Sequence, residues 1–575
     1  MIKKRILTLS KNFYNIESQQ QLLYFGRLSE FFFKENFSNS EDKISSHNFC
    51  NSTYENILPD LVKSLNKLHK VQFSLRSWNI ILGPWLRVFI HVSYENFYTL
   101  KKVIKENFVE QIYAIKPDEY DLFTNNGWDL ESANIDENWN CALNSRILHY
   151  LDTDKKIEYK KINDSNFTLK QERKKPRKNI VIYLLSFIGK FFNFFKKEND
   201  ACIFSSGLPY LYEKKLELLM GQIPQFYNFD EKIIFKKFDR ELRKKILLNL
   251  EDTSNKFEKF LRDTLPFSLP IHVIESFEDI NEQSENSEYP KNPRLIFTSD
   301  AFSYHEIFKF YLAKKTQEGA PYYLGQHGNS YFTHVHTNHT PEMKGCDRFI
   351  SWGAKGNNKS ITSFNFKVLN KRKKFNNKGK LLAVFDGLNI SGMPIFDLVA
   401  REKKSLESAL KIILNLNKDI QSQTVGRLYW LNNYALHKSY KNKIKNLNIT
   451  IDEGTKPIKS LLKDTRLTFF NFDSTGILEN LALNIPTVCY WENTFGFINP
   501  KFVDVYKLLI KAKILFEDSD DLVKHIEKNW LDVNRWWMNT NTQNYIKEFN
   551  SKINITPHAH SLEHLKKVLN REAKI

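Results

Sequence analysis

The chain changes its hydrophobic rhythm several times, and the changes divide it. Residues 6–9 form a short apolar run of the kind that makes a buried strand. Residues 56–92 then carry apolar positions at helical spacing, through "LVKSLNKLHKV" and "SLRSWNIILGPWLRVFIHV". Residues 118–168 are polar and predict no clear element. From residue 200 onward short β-rich runs alternate with amphipathic segments. "ACIFSS" precedes "YEKKLELLMG", "RLIFTSD" precedes "SYHEIFKFYLAKKTQEG", and "PYYLGQHG" and "RFISWG" follow. After the basic, Asn-rich stretch "FKVLNKRKKFNNKGK" (366–380) the alternation resumes with "LLAVFDGLNISG", "REKKSLESALKIILNLN", "GRLYWLNN", "NITIDEG", "RLTFFNFD", "ILENLALN" and "PTVCYW". Strands alternating with helices at this spacing predict parallel sheets with crossover helices, and the basic stretch splits them into two.

The expected class is therefore α/β, with two Rossmann-like parallel-sheet domains facing a cleft, a helical N-terminal portion and C-terminal helices. The boundaries are a helix-rich first part at 1–165, a basic and apolar insertion at 166–200, a sheet domain at 201–365, a linker at 366–380, a second sheet domain at 381–525, and helices at 526–575. A length of 575 residues with 41% apolar content supports more than one core. No internal repeat or heptad run is present.

The insertion joins "KQERKKPRK" (170–178) to "NIVIYLLSFIGKFFNFF" (179–195). Residues 180–195 contain a single charge, Lys190, and are short for a membrane span but suited to an interfacial segment flanked by basic residues. A buried helix or an oligomer contact is the other reading. The opening MIKKRILTLS has too short an apolar part for a secretory signal, and the five cysteines, Cys50, Cys141, Cys202, Cys346 and Cys489, form no C-x-x-C pair. Both features fit a cytoplasmic location, peripheral on the inner face of the membrane if the insertion meets lipid. The formal charge of +19 favours phosphate-bearing ligands or anionic surfaces, yet the lysines are dispersed and no nucleic-acid-binding motif accompanies them.

In open parallel sheets ligands bind at the carboxyl ends of strands. "NFDSTGILENLALNIPTVCY" (471–490) places Asp473, Ser474, Thr475 and Gly476 between a strand and a helix beginning at Ile477, where backbone N–H groups, a hydroxyl and a glycine can cradle phosphate. Glu479 on the first turn is within reach of a ribose or sugar hydroxyl. A plain helix cap explains the same residues. Asp386 in "AVFDGLN", Arg427 in "VGRLYW" and Glu453 in "IDEG" stand at other strand ends of this sheet.

In the preceding domain, Gly325, Gln326, His327 and Gly328 form a turn that exposes an imidazole as a general acid or base, or a phosphate ligand. Asp300, ending "RLIFTSD", is a third candidate base or nucleophile beside Asp386 and Asp473. His334, His336 and His339 lack metal-ligand spacing and read as surface loop residues, so no metal is expected. Trp78 and Trp85 read as core, and Arg76 as a residue near a pocket.

"SWNIILGPWL", "GQHGNSY", "DRFISWG", "VGRLYWLNN", "IDEGTKPIKSLL", "RLTFFNFDSTGILENLALNIPTVCYWE", "AKILFEDSDDLVKHI" and "WWMNTNTQNYIKEF" occur in this order over most of the chain. Together they resemble a family of bacterial transferases found with O-antigen and other surface-polysaccharide genes. The resemblance implies a GT-B-like glycosyltransferase, similar to Kdo and sialic-acid transferases that use CMP-sugars. It implies a nucleotide-sugar donor, no cofactor, and a glycan or lipid-linked glycan acceptor. In that scheme Ser474 to Gly476 hold donor phosphate, Glu479 binds sugar or ribose, Arg427 neutralises the departing nucleotide, and His327 with Gln326 positions substrate. Asn329 stands where the family pattern has a second glycine, and Glu342 is all that follows where an acidic pair is usual. Transfer of a polyol phosphate and a catalytically silent membrane scaffold are the alternative functions.

Overall fold

The computed structural model describes residues 5–570 apart from 17–20, 38, 108, 162–194, 228–232, 338–339, 372–375, 386–394, 429–442, 445–446, 455 and 493–495. Its frame is three sheets in which every strand pair runs parallel.

The first sheet has the order β2-β1-β3-β4, from β1 (Arg5–Thr8), β2 (Gln21–Tyr24), β3 (Val109–Ala114) and β4 (Lys156–Tyr159). The helical N-terminal portion thus also carries a sheet: the strand anticipated near residues 6–9 pairs with β2 on one side and β3 on the other, and β4 pairs with β3. Two long helices, α1 (Ser40–His69) and α2 (Leu75–Glu106), lie between β2 and β3. Each begins at a side-chain cap, Asn39 accepting from the Asp42 N–H and Ser74 from the Ser77 N–H. Helix α2 is buried along most of its length and packs against α1. Gly83 permits its close approach, because a Cβ there would stand 2.7 Å from the Tyr54 hydroxyl and 2.8 Å from Pro341 Cβ.

The second sheet runs in sequence order: β5 (Cys202–Ile203), β6 (Ile296–Thr298), β7 (Tyr322–Gly325), β8 (Arg348–Ser351) and β9 (Ser360–Thr362). Helix α3 (Tyr210–Leu219) follows β5, and the short α4 (Pro341–Gly345) precedes β8.

The third sheet contains β10 (Lys380–Val384), β11 (Thr424–Arg427), β12 (Thr450–Asp452), β13 (Thr465–Phe470), β14 (Thr487–Tyr490) and β15 (Leu515–Phe516). Their spatial order is β12-β11-β10-β13-β14-β15, the doubly wound arrangement whose direction of progression reverses between its first and fourth strands. Ala383 pairs with Phe469 and Val384 with Phe470 across that reversal. β13 is buried at every position, as a central parallel strand covered on both faces must be. Helix α5 (Leu398–Asn415) follows β10, and α6 (Thr475–Ala482) follows β13.

After the third sheet, α7 (Thr540–Ile553) and α8 (Ser561–Asn570) return to the second, α8 packing on α3. The Ile555 N–H donates to the Trp352 carbonyl, and Asn365 Nδ2 donates to Asn554 Oδ1 at 2.9 Å. Trp530 and Trp537 are buried. All five cysteines are buried and unpaired.

The observed α/β architecture is the expected one in class, with two parallel sheets facing a cleft and a third sheet added at the N-terminus. Among the described residues no helix is long and apolar enough to cross a membrane. Of the apolar segment 180–195, all but Phe195 lies outside the described residues.

Candidate active site

A cleft of about 710 Å³ opens at the carboxyl ends of β10 and β13, where the third sheet reverses direction. Its walls come from all three parts of the chain: Trp85 and Arg87 on α2, Asp300 and His327 beside the second sheet, and the 473–476 turn with Glu479 on the third. A polar floor between apolar walls at a topological switch point is where open α/β sheets bind ligands.

The 473–476 turn adopts the strand-to-helix geometry expected, with α6 starting at Thr475. Ser474 Oγ accepts from the Gly476 N–H at 3.1 Å, which leaves its own hydroxyl proton for another partner. Thr475 Oγ1 accepts from the Asn329 N–H at 3.1 Å and donates to Asn329 Oδ1 at 3.3 Å; Asn329 Nδ2 donates to the Asp473 carbonyl at 3.0 Å. Asn329 thus clasps the turn from the opposite domain. A Cβ on Gly328 would lie 3.1 Å from Thr475 Oγ1, so the small residue at 328 allows the loop to come this near. Asp473 meets His334 Nε2 at 2.9 Å, both side chains being buried. Around them the chain of 333–335 bonds the backbone of 497–499: Val335 N–H to Phe497 O, and Asn499 N–H to Thr333 O.

His327 lines the cleft with its Nδ1 3.0 Å from the Tyr331 hydroxyl. Desolvation, aided by the Lys367 charge, lowers its pKa to about 4. At neutral pH the ring is therefore uncharged and able to exchange hydrogen bonds. Asp300 accepts from the Ser205 hydroxyl, and burial pushes its carboxyl above the usual range. Gln326 is built into the frame instead of the cleft wall, donating to the Gly328 carbonyl and accepting from the Trp352 N–H.

Arg427 lines the cleft but is paired, its Nη1 lying 2.7 Å from Asp452 and 2.8 Å from the Lys456 carbonyl. Glu479 faces Lys371 at 2.9 Å. Glu453 is exposed and outside the cleft lining, and Arg76 is turned to Asp347 at 2.8 Å and the Gly345 carbonyl at 2.9 Å. Asp386 lies outside the described residues, as does His339. His334 and His336 are buried, correcting their reading as surface residues. Among the described residues no group of three or more His, Cys, Asp or Glu side chains could hold a metal ion.

A family model described as LIC12162 family transferase matches residues 3–569. The chain belongs to that family. No curated protein matches it. Among solved structures this transferase has a loose likeness to Spinosyn Rhamnosyltransferase SpnG, with 11% identity over 52% of this chain and 80% of that one and a TM-score of 0.28. The structure of SpnG complexed with spinosyn aglycone gives the same values, and that of SpnG complexed with thymidine diphosphate a TM-score of 0.27 with identical identity and coverage.

Several cleft residues of this transferase escape sequence reasoning. Arg87 and Arg401 line it from α2 and α5, beside Glu342 of α4, which the family pattern had marked only as the remainder of an acidic pair. Lys371, which holds Glu479, sits in the basic stretch read as a linker. The presence of cations next to a domain junction was the signal available for it. For Arg87, inside the apolar run "WLRVF", there was none.

Proposed function

We propose that this transferase is a glycosyltransferase that moves a sugar from a nucleotide-sugar donor to a bacterial surface polysaccharide or its lipid-linked precursor, working at the inner face of the cytoplasmic membrane. The observation that carries the reading is the cleft itself: a strand-to-helix turn at the switch point of a doubly wound sheet, closed from the other side by a loop bearing a neutral imidazole. The GT-B plan, in which donor and acceptor meet between two such sheets, matches this arrangement.

In this scheme the donor phosphates lie against Ser474, Thr475 and Gly476. The Ser474 hydroxyl and the N-terminal dipole of α6 offset charge that grows on the leaving phosphate, a preorganised form of stabilisation. Glu479, held by Lys371, bonds ribose or sugar hydroxyls. Asp300 and His327 stand on the acceptor side, where an uncharged imidazole can accept a hydroxyl proton as the glycosidic bond forms. CMP-sugars head the donor candidates, on the sequence resemblance alone.

The test is a thermal-shift panel of CMP-, UDP-, GDP-, CDP- and dTDP-sugars with their free nucleotides, run on wild type and Glu479→Ala. Stabilisation by one nucleotide class, weakened in the variant, is expected. A folded protein that no nucleotide stabilises would remove the donor from the account.

A further inference from the structure

The cleft holds two arginines that form no ion pair among the described residues. Among the described residues four cationic side chains line it: Arg87, Lys309, Arg401 and Arg427. Lys309 sits 3.0 Å from the Glu306 carboxylate, and Arg427 is 2.7 Å from Asp452. Arg87 and Arg401 have no carboxylate within ion-pair distance among the described residues.

Arg87 is only 5% exposed. Its Nη2 donates to the His336 carbonyl at 2.5 Å, while its Nε, buried, has no hydrogen-bond partner among the described residues. His47 and His336 stack nearby and His91 lies against His47; burial first, then the Arg87 charge among others, keeps all three rings neutral. Glu342 is the one carboxylate whose field reaches Arg87, and burial pushes its own pKa upward. Arg401, on α5 of the third sheet, rests its guanidinium over the Phe497 ring at 5.1 Å. Both arginines line the cleft, and both charges act on the His336 ring.

A guanidinium removed from water without a counter-charge is costly, and its planar fork fits the two oxygens of a phosphate or carboxylate. We infer that Arg87 and Arg401 form a second anion site in the cleft, bridging α2 and α5, that binds an oxyanion group of the substrate other than the phosphate held at the 473–476 turn. This rests on reading the cleft as a substrate site. The oxyanion belongs either to a phosphate on a lipid-linked acceptor or to the carboxylate of an acidic sugar.

The experiment is calorimetric titration of inorganic phosphate, and separately of glucuronate, into the full-length wild type, Arg401→Gln, Arg401→Lys and Arg87→Gln. Arg401 is partly exposed on a helix surface, so its variants test the site even where Arg87→Gln fails to fold. One anion is expected to bind, at least tenfold more weakly in Arg401→Gln and to an intermediate degree in Arg401→Lys, which keeps the charge but loses the fork. Preference for phosphate assigns the site to a phosphorylated acceptor, and preference for glucuronate to an acidic sugar. Equal binding in wild type and Arg401→Gln, or no binding of either anion, overturns the inference. Nucleotide stabilisation that depends on Glu479 is read separately, so loss of the donor reading and loss of the anion site give different patterns.

Discussion

Replacing His327 with glutamine should change how stability depends on pH. The imidazole titrates near 6.5 in an unfolded chain and at about 4 in its place on the cleft wall. The unfolded state therefore binds the proton more tightly, and stability contributed by the neutral ring is lost as pH falls from 6.5 towards 4. At about 1.4 kcal/mol per pH unit the gap is worth at most about 3 kcal/mol, and water reaching the ring through the cleft trims this to about 2 to 3 kcal/mol. Other histidines titrate alike in both proteins and cancel in the difference. Urea unfolding of wild type and His327→Gln at pH 7.5, 6.0, 5.0 and 4.0 measures it. The wild type should lose ground to the variant progressively below pH 6.5, by about 2 to 3 kcal/mol at pH 4. A stability difference that stays constant over this range would refute the desolvated, neutral His327 on which its proposed role as proton acceptor depends.

Three further substitutions probe the clasp on the 473–476 turn and the packing of the rest of the chain. Thr475→Val removes both hydroxyl contacts to Asn329, about 1 to 2 kcal/mol together, and hydrogen exchange at the Asn329 amide should accelerate about tenfold; an unchanged rate would mean the clasp does not hold in solution. Gly353→Ala sets a Cβ 2.7 Å from the Ile553 carbonyl carbon and 2.8 Å from the Asn554 nitrogen, both backbone atoms that cannot turn aside. It should cost about 1 to 3 kcal/mol, read as a lowered melting temperature, and a neutral result would contradict the tight return of α7 to the second sheet. Glu275→Ala leaves the buried Arg243 guanidinium without the carboxylate that both its Nε and Nη2 contact, at 2.7 and 2.8 Å. A loss of about 3 to 5 kcal/mol in denaturant unfolding is expected, and one below about 1 kcal/mol would show that the pair is open to water.

The second and third sheets were legible because their central strands are continuous apolar runs. "LLAVF" and "LTFFNF" can only be buried on both faces, and the polar residues that end them fall where the cleft forms. The 473–476 turn was readable for the same reason, its place at a strand end being a local property. The first sheet was obscured by its short strands: β1, β2 and β4 have four residues each, and β4, "KIEY", is partly exposed, so its pattern resembles that of a loop. Contacts between distant segments left no local mark. Asn329 and Thr475 stand 146 positions apart, and the family pattern pointed to Asn329 merely as a missing glycine. Arg76 and Arg87 illustrate the same limit on one helix. Eleven residues, about three turns, separate them; the first faces Asp347 and the second enters the cleft, a choice made by the packing of α2.

The most direct test of the central claim is an experimental structure of the protein with the nucleotide that stabilises it best. A phosphate within hydrogen-bond distance of Ser474 and the first turn of α6, with the ribose beside Glu479, is the predicted result. The same nucleotide ordered elsewhere, with the 473–476 turn still covered by Asn329 and empty of phosphate, would contradict it.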